Sequence, residues 1–167
     1  YDTGYYDRRE RVFYGFAKVT ETQYDANNQP YRRTARYYRN DSVHTKGLLV
    51  AQYIMDANNT LYIFKKNTYA LQAPVYGGAT PPALCKFPAL IHSLTCYFEG
   101  QPDPAINQEK WYTYGAYGNV TQQQLTSTSM DMVVVNITYH PQQNGNYCVG
   151  IPKSVEVPGY RKRTTLI

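Results

Sequence analysis

The sequence predicts an all-β protein with minor helix, its antiparallel strands closing into a barrel, a sandwich or a strongly curved sheet. Three observations predict this. β-prone runs with alternating apolar side chains recur along the 167 residues, separated by short turns. Nineteen tyrosines dominate the aromatic content, and tyrosine suits a pleated, half-buried surface. Charged residues make up only 17%, yet mean hydropathy is negative, so Asn, Gln, Thr and Tyr carry the polarity. The length suits one domain, read as 1–160 with a basic C-terminal tail at 161–167.

The first element is a long strand over Arg11–Thr22, with Val12, Tyr14 and Phe16 on one face. Tyr24–Pro30 follows as a turn, because Asp and Asn close local side-chain hydrogen bonds and Asn tolerates positive φ. A basic, tyrosine-rich strand returns antiparallel to Arg39. Leu48–Met55 reads as the most buried strand and runs through Asp56-Ala57-Asn58-Asn59 into Leu61–Phe64. Asp-Ala-Asn-Asn thus occurs twice between strands, which predicts two similar hairpin turns. Residues 72–84 form a Pro/Gly loop. The cysteine-bearing segment 84–98 is expected to be partly helical over Ala89–Thr95, and 99–110 to be loop. Trp111–Tyr117 alternates aromatic and small residues. Met130–Tyr139 is a strand that turns Asn136 away from Val133, Val135 and Ile137. Tyr147–Val157 supplies one or two final strands, giving about nine in all.

No hydrolase, phosphate-loop, zinc-protease or EF-hand spacing is present, so no enzyme is expected. His44, His92 and His140 stand far apart, in a pattern that suits surface histidines. Glu99, Asp103 and Glu109 fall in one loop region where carboxylates hold Ca²⁺ weakly or simply face water. A Cys96/His92 nucleophile pair is the one catalytic arrangement available, and a secreted cysteine more often sits in a disulfide. Net charge is +5, with the densest basic run at Tyr31–Arg39. A strand there sends Arg33 and Arg39 to one side and Arg32 and Arg36 to the other, which suits a solvated or edge strand and argues against a nucleic-acid surface.

Asn-x-Ser/Thr triplets begin at Asn40, Asn58, Asn119 and Asn136. Glycosylation at them would require the secretory pathway and exposure to water, so a secreted, extracellular protein with four surface asparagines is expected. The start at Tyr1 is read as a mature chain after signal-peptide removal. No apolar run approaches the length of a membrane span.

Tyr53–Phe64, Cys85-Lys86-Phe87-Pro88-Ala89-Leu90, Trp111 with Gly115-Ala116-Tyr117, and Gly150–Val155 together resemble features of the ependymin-related proteins, in similar order. The resemblance covers about two-thirds of the chain. It implies a secreted, N-glycosylated protein whose two stacked, curved antiparallel sheets, or half-barrel, enclose an apolar cavity, as in bacterial lipoprotein carriers. It further implies a hydrophobic ligand such as a lipid, fatty acid, sterol or carotenoid, Ca²⁺ binding, and a homodimer. It marks Cys85 as a half-cystine. Cys148 is assigned as its partner because it lies near a late strand able to return beside it, which leaves Cys96 as the spare thiol.

Strand periodicity then names the pocket walls: Leu49, Ala51 and Tyr53 or their alternates, Leu61 with Ile63, and Val133, Val135 and Ile137. The same side chains would equally serve as packed core. The two functions open to the sequence are a carrier of a hydrophobic small molecule and a matrix or adhesion glycoprotein without one.

Overall fold

The computed structural model describes residues 1–74, 85–140 and 150–165. These residues form eleven β-strands and no helix: β1 (Asp2–Asp7), β2 (Val12–Tyr24), β3 (Pro30–Arg39), β4 (Leu48–Asp56), β5 (Leu61–Gln72), β6 (Phe87–Tyr97), β7 (Ile106–Tyr114), β8 (Val120–Ser127), β9 (Met130–Tyr139), β10 (Pro152–Val157) and β11 (Arg161–Thr164). All belong to one sheet in chain order, from β1 to β11. The all-β expectation holds. The described strands are hydrogen-bonded into a single sheet that does not close on itself.

The residues group into two compact units. The first comprises Tyr1–Thr68 and Ser93–Gln108, the second Tyr69–His92 and Glu109–Ile167. In the first, β1 to β5 form an antiparallel meander, each strand paired with the next. In the second, β8 to β11 do the same.

Three hairpin turns share one design. Asp25 N–H donates to Gln29 O at 2.9 Å and Asn28 N–H to Asp25 O at 3.0 Å. The pattern recurs between Asp56, Asn59 and Thr60, and again between Gly115, Gly118 and Asn119. The fourth residue of each turn has positive φ: 60° at Asn28, 66° at Asn59 and 81° at Gly118. Asparagine and glycine occupy that left-handed position because a β-branched side chain there would clash. In the two Asp-Ala-Asn-Asn copies the aspartate Oδ1 also accepts two backbone N–H groups at 2.8–2.9 Å. The expectation of two similar turns is met, and the third copy was hidden because Gly115-Ala116-Tyr117-Gly118 shares only the alanine.

Ala89–Thr95, expected as partly helical, is the middle of strand β6. Ile91 and Thr95 are β-branched and aromatic residues sit at both ends, so sheet pairing outweighs a weak helical preference. The expected loop at 99–110 gives way to β7 at Ile106, and Gly115–Asn119 is a turn where the sequence suggested strand. β8 is rich in glutamine and carries no apolar alternation, and so escaped notice. The expected basic tail contributes β11, which pairs with β10.

A buried polar knot closes the β3–β4 connection. Asn40, only 3% exposed, donates from Nδ2 to Phe16 O at 2.9 Å, and its Oδ1 accepts the Gly47 N–H at 2.7 Å. Thr45, 1% exposed, donates to Asp41 Oδ1 at 2.6 Å and accepts the Ser42 N–H. Arg39 completes the knot with a two-point contact to the Asp41 carboxylate at 2.9 and 3.0 Å.

Candidate functional site

The second unit presents two chemically distinct faces. Strand pairing fixes which side chains share a face, because residues directly opposite one another project the same way. On one side Gln122, Asn136, Glu156 and Lys162 form a row across β8, β9, β10 and β11. Gln122 Nε2 donates to Asn136 Oδ1 at 3.0 Å, Gln124 donates to Gln122 at 2.9 Å, and Lys162 pairs with Glu156 at 3.1 Å. Thr138 and Ser154 share a 2.7 Å hydroxyl bond on the same side. This face is a polar ladder.

The opposite face is largely apolar, with Gln123 of β8 set across from Val135. Leu125 lies across from Val133, Ile137 from Val155, and Val135 stands between Val133 and Ile137 on β9. Val155 and Val157 lie opposite Arg163 and Arg161 on β11. These apolar side chains are half-buried, and Val155 is 38% exposed. At the end of the strands a depression of about 530 Å³ is lined by Val133, Val134, Val157, Pro158 and Tyr160, with Asp131 and Met132 beside them. Val133, Val135 and Ile137 thus share a face, as expected, with Asn136 on the other.

The first unit carries an aromatic row. Lys18 Nζ lies 5.5 Å from the Tyr37 ring centre, Tyr37 meets Tyr53 edge-on at 5.7 Å, and Tyr53 meets Phe64 at 4.9 Å. Four consecutive strands are tied by these contacts, each ring pair contributing about 0.5–1.5 kcal/mol beyond its buried area. The five expected pocket residues here do not line one wall. Tyr53 pairs with Phe64 but Ile63 with Ile54, so Tyr53 and Ile63 face opposite ways. A bulge between Ile54 and Met55 brings Leu61 opposite Met55, on the Tyr53 side. Another, between Tyr37 and Tyr38, puts Leu49 opposite Tyr38 and thereby separates it from Ala51. Strict alternation fails because each bulge inserts one residue and flips the side chains beyond it. An open depression of about 340 Å³ is lined by Ile54, Met55, Tyr62 and Ile63 together with Tyr31, Arg32 and Asp56.

The arginines of β3 divide as the sequence suggested and are largely engaged. Arg36 pairs with Glu21 at 3.0 Å, Arg39 with Asp41, and Arg33 donates to the Asn59 side chain. The guanidinium of Arg36 is the first cause holding the Glu21 carboxyl below its usual range.

His92 belongs to a cluster in the second unit. Its ring stacks on Trp111 with centres 3.8 Å apart, and its Nε2 lies 3.1 Å from Glu109 Oε2. Beside it Phe87 meets Tyr114 at 5.8 Å, and Tyr114 donates to Leu90 O at 3.0 Å. The imidazole is engaged by Glu109 and Trp111, and Cys96 is buried in the first unit. Among the described residues no three His, Cys, Asp or Glu side chains come together as metal ligands, so Glu99, Asp103 and Glu109 form no cation cage.

Of the four triplet asparagines, Asn58 is exposed in its turn and Asn119 and Asn136 are half-buried. Asn40 departs from expectation. It is 3% exposed and its amide nitrogen donates to Phe16 O, so it is not one of the surface asparagines the sequence suggested. Cys85 is exposed ahead of β6, and its assigned partner Cys148 lies outside the described residues. No helix among the described residues is long and apolar enough to cross a membrane.

No family model and no curated protein matches the chain. Solved structures do. A crystal structure of TcdB2–TccC3–TEV matches 94% of this chain with a TM-score of 0.73 at 14% identity, and the matched part is 12% of that chain. A TcdB2–TccC3–Cdc42 structure gives 0.72 at 13% identity over the same shares. A Tc holotoxin pore of Photorhabdus luminescens gives 0.70 at 14%, over 94% of this chain and 11% of that one. At such identities the likeness concerns the fold, and it leaves the ependymin resemblance where the sequence put it. This chain spans about one-eighth of the length of the structures it matches, and what it shares with them is an all-β fold.

Proposed function

We propose that this chain is a structural, non-catalytic β-sheet module that works by packing its faces against other protein. The observation that carries the proposal is the two-faced sheet of β8 to β11. One face satisfies its polar groups internally, while the other holds half-exposed Val, Ile and Leu side chains. All described strands lie in one sheet and there is no helix among them, so the described residues hold no helical layer to cover an apolar face. The fold neighbours support the reading in one respect: a sheet of this kind occurs there as a small part of much longer chains.

A hydrophobic-ligand carrier is the second reading, favoured by the 340 Å³ depression around Ile54 and Ile63. Its volume falls at the lower end of small-molecule sites, which run from roughly 300 to 1,000 Å³. Secretion and N-glycosylation belong to this reading, and Asn58 is the asparagine best placed for a glycan. Organic extraction of the purified protein followed by mass spectrometry separates the two. The structural reading expects no stoichiometric lipid or chromophore. One equivalent of such a molecule, lost when Ile63→Asp fills the depression with charge, would establish the carrier and overturn the structural module.

A further inference from the structure

We infer that the apolar face of β8 to β11 is a docking site for an amphipathic acidic segment of another polypeptide, one that sets apolar side chains on the valines and carboxylates over Arg161 and Arg163. The inference rests on the structural reading above and names the chemistry of the partner.

Arg161 and Arg163 stand two apart on β11, so both project on the face that carries Val155 and Ile137. Lys162, between them, projects the other way and is neutralised by Glu156. Both arginines are exposed, and neither has an ion-pair or hydrogen-bond partner among the described residues. The face therefore offers an apolar strip formed by Val133, Val135, Ile137 and Val155, flanked by Gln123 on β8 and bordered along β11 by two unmatched guanidinium groups. A guanidinium fork is suited to two-point recognition of carboxylates, and a rim of one sign selects a partner of the other.

An anionic membrane would also satisfy apolar side chains and arginines. It fits less well, because Asp131 lines the depression beside Val133 and Val157 and would be set against lipid phosphates. A polypeptide can place a polar or basic residue at that one point.

The test uses the whole chain and a synthetic amphipathic helix with leucines along one face and glutamates flanking them, with binding followed by fluorescence anisotropy. Analogues with glutamine or lysine flanks, and phosphatidylglycerol vesicles, complete the set. The glutamate peptide should bind, and the glutamine analogue should bind several-fold more weakly, because each exposed rim ion pair adds only a small factor in affinity. The double variant Arg161→Glu/Arg163→Glu should lose the glutamate peptide and gain the lysine one, a reversal that an unfolded protein could not produce. Val155→Asn should weaken both peptides. Equal binding of all three peptides, binding of none, or binding of vesicles alone would overturn the inference. Those failures leave the structural module standing, because that reading is tested separately, by whether extraction yields a stoichiometric ligand.

Discussion

Asn40 shows how one side chain can hold two segments that lie far apart in sequence. Its amide bridges the Phe16 carbonyl on β2 and the Gly47 N–H at the entry to β4, away from water. Asn40→Ala removes both bonds and leaves two part-buried backbone groups without that partner, so it should destabilise the protein by about 1 kcal/mol in chemical denaturation. A glycan at Asn40 would have the same effect with added bulk. In a eukaryotic secretory host the folded product is thus expected to carry glycan at Asn58 and none at Asn40, as peptide mapping would show. Folded protein glycosylated at Asn40 would contradict the structure. The triplet itself was legible in the sequence, but its burial was not, because the partners on β2 and β4 are a tertiary fact.

Asp41 beside it carries a pH signature. Its hydrogen bonds from Arg39, then Thr45, hold the carboxyl down to about 2, against an ordinary value of 3.8. A carboxyl depressed on folding contributes stability that is complete above its unfolded value and is lost as pH falls through the folded one. The β3–β4 knot should thus hold at pH 5 and loosen between about pH 4 and 2. In an NMR titration, Arg39→Gln should move the Asp41 midpoint upward towards the ordinary value. A midpoint that stays put would remove Arg39 as the cause.

At the level of the element, the turns were the best-read part of the chain. Asp-Ala-Asn-Asn announced two hairpins because each residue has one job: aspartate accepts backbone N–H groups, and the second asparagine takes the left-handed conformation. Asn28→Ala and Asn59→Ala should each cost about 1 kcal/mol, the penalty for an ordinary side chain at positive φ, while the glycine variants should cost less. Equal losses for alanine and glycine would mean that the asparagine side chains matter more than the backbone. That outcome is more easily reached at Asn59, whose Oδ1 accepts from Arg33. Strand faces were read less well. Periodicity placed Val133, Val135 and Ile137 together correctly, because that stretch of β9 runs without a bulge. It grouped Leu49 with Ala51 and Leu61 with Ile63 wrongly, because bulges at Tyr37/Tyr38 and Ile54/Met55 reset the alternation. No residue type in those runs announces a bulge. β8 was missed for the opposite reason: Gln122 and Gln124 serve a polar ladder that only pairing with β9 reveals.

For the molecule as a whole, composition identified the class and could not supply the layering. Abundant tyrosine and sparse charge imply sheets, and an aromatic-lined cavity is one way to use them. The structure instead spends its aromatics as rows within the sheet, from Lys18 through Tyr37 and Tyr53 to Phe64, and leaves the apolar side of β8 to β11 half-exposed. The central claim is that this face is uncovered in the isolated chain. A soluble paramagnetic probe tests it directly by NMR. The methyl signals of Val133, Val135, Ile137 and Val155 should be attenuated in the free protein, to an extent comparable with other exposed methyls. Methyls that resist the probe in the free protein, with nuclear Overhauser contacts to another part of the chain or to a copurified small molecule, would contradict it.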